Sequence, residues 1–341
     1  MINPRRLMGR SEPYVLAAII LLGILIQARS GQFFTGNNLV DLVRAVIVPA
    51  LLSVGCMMVI VSGGIDVSFT AVAALAMYVT DRILLSSQYA GNVLLPYAMS
   101  AGLGLAMGAL NGFLIAFLRL PTLVVTLGTA SLYTGLMFGA FAASASDVPP
   151  AIVAHGKETL FTAVNSQLGL TSTMPSQILI LVGVFVLAFL FLRYTMLGRG
   201  IYAIGGDEAA AERAGFNVRA IKMLLYCLVG VLAGITGISR ISMMAYADPS
   251  TFLGMELTVI AAVVLGGTRV TGGVGTLTGT ALGVALMIIL ANSLILIGIP
   301  TYWTRVFTGA VIIIGTGVTA RQISTKRRRG RIPAERAGEV P

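Results

Sequence analysis

Apolar residues along this chain come in long runs separated by short polar junctions, with little of the strict alternation that a barrel strand would show. Runs near 14–26, 43–62, 68–85, 93–118, 123–143, 177–193, 223–245, 257–267, 274–297 and 302–320 predict ten membrane-spanning helices. The first run is short for a bilayer and, preceded by Arg5, Arg6 and Arg10, has the charge and length of a secretory signal. Ala28-Arg29-Ser30 is a poor cleavage site, however, so the run reads as a retained span entered from its cytoplasmic end. The eighth run is the shortest stretch of unbroken apolar character and predicts a re-entrant or broken helix.

A polar island between two long apolar blocks runs from Tyr202 to Val218. Gly205 and Gly206 read as a break in the incoming chain, after which Asp207 can cap the amides of a new helix and Glu208 suits the positive end of its dipole. Ala209, Ala210, Ala211 and Ala214 favour helix, Glu212 and Arg213 keep its surface polar, and Gly215 supplies a stop that can take positive φ. Asn217 is placed to cap the helix that follows. The prediction is a helix of about two turns, roughly 12 Å long. A helix of that length is unstable alone. Held in water by flanking spans, it has the size and small-residue face of a docking knob for a soluble partner.

Composition agrees with the pattern: 57% of the 341 residues are hydrophobic and 11% charged, against about 25% charged in soluble domains. The 40 glycines suit helices packed closely on one another. A net charge of +10 could suggest a nucleic-acid partner, but Lys and Arg sit at the margins of apolar runs. With the N-terminus inside, ten spans put the junctions 63–67, 119–122, 193–222 and 268–273 and the C-terminus in the cytoplasm, together with 17 of the 23 basic residues. Only Arg29, Arg44, Arg82, Lys157, Arg240 and Arg305 remain outside, as the positive-inside rule requires. On the outer face the largest stretch is 144–176, with Pro149-Pro150, His155, Lys157 and Glu158, big enough to cover an entrance. The tail 321–341 reads as a disordered basic segment that anchors topology at anionic lipid headgroups. The whole is predicted to be an all-α polytopic membrane protein, with the spanning region over 1–320.

Candidate chemistry is sparse. None of the three lysines stands in a phosphate-binding Gly-Lys-Ser/Thr loop, a single histidine excludes paired-histidine metal sites, and Cys56 and Cys227 are separated within apolar runs. No catalytic residue, metal or cofactor is therefore expected. Three carboxylates, Asp66, Asp81 and Glu256, lie close to predicted spans and would serve an ion-coupled secondary transporter of a small polar solute, the alternative reading. Their positions near span ends favour capping or interface exposure. Sliding the chain by 203 residues lays Val61–Ser68 on Val264–Thr271, keeping Val61, Gly63, Gly64 and Val67. A glycine-interrupted apolar segment in each half is a pattern by which transporters mark their pathway.

Several stretches, in order from about 40 to 320, resemble the permease subunits of bacterial ABC importers for monosaccharides and related carbohydrates, a family that includes ribose, xylose, galactose and autoinducer-2 permeases. They are Gly63-Gly64-Ile65-Asp66-Val67-Ser68, Asn111-Gly112 through Arg119-Leu120-Pro121 to Thr129, Gly198-Arg199 through Gly205-Gly206 to Gly215, Glu256-Leu257, Ile260 to Thr268, and Gly272 to Thr276. The resemblance implies a permease that pairs with a second copy or paralogue, two cytoplasmic ABC ATPase modules that bind the ATP, and a periplasmic sugar-binding protein, in the bacterial inner membrane with both termini cytoplasmic. It implies further that about 205–216 is the coupling helix gripped by the ATPase, and that Gly63, Gly64, Asp66, Asn111, Gly266 and Gly267 lie along or beside the pathway. One departure stands out: where the family continues after the Ser with a small residue and glycine, this chain has Phe69-Thr70.

Overall fold

The structure is a computed structural model that describes residues 12–165 and 169–296 and, beyond these, 298, 300, 303, 306, 309 and 310. Most of the expected tenth span and the whole basic tail lie outside the described residues, as do Arg5, Arg6 and Arg10. Twelve α-helices are described: α1 Glu12–Ser30, α2 Gly36–Val61, α3 Phe69–Ser86, α4 Leu94–Ala116, α5 Thr122–Gly135, α6 Pro150–Gly156, α7 Gln177–Tyr194, α8 Met196–Gly206, α9 Glu208–Arg213, α10 Val218–Met244, α11 Met255–Leu265 and α12 Leu277–Leu296. Seven are long and apolar enough to cross a membrane: α1, α2, α3, α4, α5 with its π-helical end Leu136–Ala140, α7 and α10.

Helix α2 is the centre of the bundle. From Ile47 to Val61 it is apolar on nearly every side and buried almost throughout, as a helix surrounded by other helices must be. Around it stand α3, α7, α8, α10, α11 and α12. The peripheral helices do the reverse: Leu16, Ile20, Leu21 and Leu25 of α1 and Leu179, Val182, Val186 and Leu187 of α7 are exposed, a surface suited to hydrocarbon and costly in water.

Helices α4 and α10 touch backbone to backbone. A Cβ on Gly104 would lie 2.1 Å from the Gly230 carbonyl oxygen, one on Gly230 2.0 Å from that of Gly104, and one on Gly108 2.3 Å from that of Tyr226. Glycines four residues apart on both helices thus make the seam, and the Ser100 hydroxyl donates across it to the Gly234 carbonyl at 2.8 Å. Helices α11 and α12 repeat the device, with Gly266 against Gly279 and Gly283 against Ala262.

Three expected features take definite form. The stretch 144–176 is no irregular loop: it holds α6 and an antiparallel hairpin, β1 Thr159–Asn165 with β2 Leu170–Pro175, the one non-helical element of any size among the described residues. The hairpin docks on the start of α2, where Ser172 donates to Asp41 at 2.9 Å. Second, α11 is short and interrupted, as the eighth run predicts: it has 11 residues and is separated from the 3-10 turn Pro249–Phe252 by Leu253 and Gly254, the latter at φ +83. At 1.5 Å per residue it covers roughly 16 Å, about half of a hydrocarbon core about 30 Å thick. Third, the chain between α2 and α3 is non-helical over Ser62–Ser68, where the junction 63–67 is expected.

Candidate functional site

The junctions 63–67, 119–122, 193–222 and 268–273 gather at one end of the bundle. The first element there is α9. Its Asp207 carboxylate accepts from the Ala210 amide at 2.9 Å, Gly215 takes φ +90 beyond its last turn, and Phe216 donates its amide to the Ala211 carbonyl at 3.1 Å. Asn217 then accepts from the Ala220 amide at 3.0 Å and starts α10. Each cap follows from local side-chain chemistry. The helix is shorter than the two turns predicted, six residues from Glu208 to Arg213.

The glycines before it do something other than break the chain. Helix α8 runs through Gly205 and Gly206, and the turn comes at Asp207, which is extended. Gly205 is a contact residue: a Cβ there would stand 1.7 Å from the Val61 carbonyl oxygen and 2.6 Å from the Gly273 amide nitrogen. Gly273 donates that amide to Val61 at 2.8 Å, while a Cβ on Gly272 would lie 2.9 Å from the Gly63 Cα. Three distant segments, around 63, 205 and 273, therefore close on the end of α2 without any side chain between them.

This hub fixes which face of α9 is presented. Ala211 is buried against the bundle, whereas Ala209, Ala210, Glu212 and Arg213 are exposed with Gly206, Asp207 and Glu208. The Lys222 ammonium donates to both Glu208 oxygens at 2.8 Å, tying α9 to the first turns of α10. Between α9, α10 and the segment Arg119–Thr122 opens a cavity of about 780 Å³, with Gly63 in its wall and Arg119, Glu208, Glu212, Arg219 and Lys222 around it.

Of the residues expected beside the pathway, Gly63 alone borders that cavity. Gly64 is packed, its missing Cβ 3.1 Å from the Tyr226 hydroxyl oxygen. Asp66 is buried and accepts from both the amide and the hydroxyl of Ser68 at 2.7 Å, and Asn111 donates to that same hydroxyl oxygen at 2.8 Å. Burial raises the Asp66 carboxyl above the usual range, and the Ser68 hydrogen bonds oppose the rise. The trio anchors the non-helical Ser62–Ser68 segment to α4. Phe69 departs from the family pattern without opening a gap, because its ring is buried as the first residue of α3.

The internal echo is real in geometry but shifted by one residue. In the first half Gly63 takes φ +84, donates to Ile60, and is followed by Gly64 donating to Val59; in the second Gly267 takes φ +99, donates to Val264, and is followed by Thr268 donating to Val263. The two helix ends superpose at a spacing of 204, with Gly63 matching Gly267. Gly266 is instead the packing glycine of the α11 and α12 seam.

Glu256 borders a different part of the bundle. It lies in the first turn of α11, nine residues from the hub end of that helix, and so roughly 14 Å inside it. Thr70 of α3 donates to its carboxylate at 3.1 Å, and both border a second cleft of about 540 Å³. The carboxylate therefore stands at the end of α11 away from the hub, against the start of α3.

Residues 38–315 match the family described as branched-chain amino acid transport system / permease component. The ribose import permease protein RbsC of Escherichia coli (strain K12) is 34% identical over 303 residues, covering 89% of this chain and 92% of that protein. The L-arabinose ABC transporter permease protein AraH of Azospirillum brasilense is 32% identical over 283 residues, 83% of this chain and 80% of that one. RbsC of Bacillus subtilis (strain 168) is 31% identical over 296 residues, 87% and 88%. No solved structure matches significantly.

Proposed function

The chain belongs to the family of branched-chain amino acid transport system permease components, and on that footing we propose that it is the translocation subunit of an ATP-driven importer of a monosaccharide or related small carbohydrate. Similarity to permeases named for ribose and arabinose supports the substrate class. The subunit is not itself an enzyme. ATP is bound and hydrolysed by separate cytoplasmic ABC ATPase subunits, a second permease copy or paralogue completes the path, and a periplasmic sugar-binding protein delivers the substrate. The hub end faces the cytoplasm of a bacterial inner membrane, with both termini on that side, because the junctions gathered there carry Arg119, Arg193, Arg199, Arg213, Arg219, Lys222 and Arg269.

The observation that carries this reading is the pairing of an outward-facing, doubly capped α9 with the backbone hub behind it. A helix of six residues has no stability of its own. Gripped from outside, it transmits a displacement through Gly205 to the end of α2, the central helix, with no flexible side chain to absorb the motion. Closure of the ATPases then shifts the spans as rigid bodies between inward and outward openings.

Energy source is the test. Vesicles carrying the complete importer should keep taking up ribose or arabinose when the proton gradient is collapsed and ATP preserved. Uptake that stops with the gradient would overturn the reading in favour of an ion-coupled transporter.

A further inference from the structure

We propose that the cleft between the start of α3, the end of α5 and the first turn of α11 is the sugar-contacting point of the path, with the Glu256 carboxylate and the hydroxyls of Thr70, Ser131 and Thr134 meeting sugar hydroxyls and Phe138 meeting its apolar face. The proposal rests on the transport reading above and adds to it the place and the chemistry of contact.

The setting of Glu256 is the first argument. A carboxylate within a membrane-spanning bundle is costly, and it persists where it meets water, a partner or a substrate. Among the described residues no basic side chain pairs with it; the close contacts between basic and acidic side chains are His155 Nδ1 with Glu158 and the Lys222 ammonium with Glu208. An ionised carboxylate offers about four acceptor positions, and the Thr70 hydroxyl fills one of them. The rest of its capacity borders the open cleft.

The lining is the second argument. The cleft of about 540 Å³ is bordered by Ser131, Thr134 and Phe138 of α5 and its π-helical end as well as by Thr70 and Glu256, a volume inside the range of about 300–1,000 Å³ for small-molecule sites. Hydroxyl side chains both donate and accept, so they suit a ligand whose own hydroxyls do the same. A carboxylate accepts from sugar hydroxyls through charge-assisted hydrogen bonds, and an aromatic ring offers its face to the C–H side of a sugar ring. A metal ion fits poorly: no group of three or more His, Cys, Asp or Glu able to hold one occurs among the described residues. Discontinuous helices are also where transporters bind solute, and α11 is a short helix interrupted at Gly254 from the 3-10 turn before it.

The test uses the complete importer in vesicles, with ribose and arabinose as probes. Glu256→Gln keeps the shape and the bond from Thr70 but loses the charge. It should lower uptake tenfold or more while membrane abundance stays unchanged. Ser131→Cys should react with a charged, water-borne thiol reagent above the background of the unaltered chain. That reaction should slow severalfold in a saturating concentration of the transported sugar and not in equal sucrose. Uptake by Glu256→Gln within twofold of the unaltered importer, or Ser131→Cys labelling that sugar leaves unchanged, overturns this proposal alone. An unaltered importer that moves no pentose or hexose overturns the transport reading, and this proposal with it.

Discussion

Gly205 and Val61 meet so closely that a methyl group on the glycine would stand 1.7 Å from the valine carbonyl oxygen. The obstacle is backbone on both sides: the Val61 carbonyl also accepts the Gly273 amide, so it cannot turn away without losing that bond. Gly205→Ala should therefore push α8 off the end of α2. Overpacking of this kind costs about 1–3 kcal/mol or more. The expected result is a permease with a lowered thermal unfolding midpoint in detergent and no stimulation of its ATPase partner. Gly206→Ala is the control, because a Cβ there meets nothing within 4 Å.

The Asp207 cap is predicted to be needed for the shape of α9 rather than for its charge. Removing the acceptor of the Ala210 amide in Asp207→Ala should cost about 1 kcal/mol. In so short a helix that is enough to fray its first turn. Asp207→Ser retains an oxygen in reach and should restore most ATPase stimulation. Equal loss in both variants would mean that the carboxylate itself touches the partner.

What could be read from the chain in advance follows the range of the forces involved. Asp207, Gly215 and Asn217 were legible because a cap is decided by residues within three positions of it. The role of Gly205 was not, since its contact is with residues 61 and 273 and nothing beside it in sequence announces them. Likewise the echo between the halves was visible as Val-x-Gly-Gly, but Gly266 aligns with Gly63 in letters while Gly267 aligns with it in φ. The hairpin did leave a signal in Thr159-Leu160-Phe161-Thr162-Ala163-Val164, β-branched and aromatic residues without helical spacing. The surroundings of Glu256 were not legible, since the hydroxyl that meets it, Thr70, lies 186 residues away in sequence.

The Glu208 and Lys222 pair should matter little to stability. Glu208 keeps 54% of its side chain exposed, and pairs of this kind contribute roughly 0–1 kcal/mol, less in salt. Lys222→Ala is expected to leave the unfolding midpoint and ATPase stimulation near those of the unaltered chain. Ala209→Trp, on the exposed face, should abolish stimulation with the fold intact, whereas Ala211→Trp should destabilise the fold because Ala211 is buried. A normal stimulation by Ala209→Trp would remove α9 from the partner's grip.

Gly63 separates conformation from contact. It sits at φ +84, the left-handed region, and the nearest atom to an added Cβ is the Gly205 Cα at 3.7 Å, an ordinary distance. Space is therefore available, and the cost of a side chain comes from the backbone: roughly 1–2 kcal/mol for an ordinary residue and less for asparagine, which visits this region more readily. Gly63→Ala should lower stability by about that amount, Gly63→Asn by clearly less, and Gly63→Val by the most, since β-branched residues suffer most at positive φ. Had Gly63 been kept small for contact, asparagine would be worse than alanine. Unfolding midpoints of the three variants in one detergent decide between the two orders. If the asparagine variant is the least damaged, the turn that ends α2 owes its glycine to φ. Its twin Gly267, at φ +99, should then rank the same three substitutions in the same order.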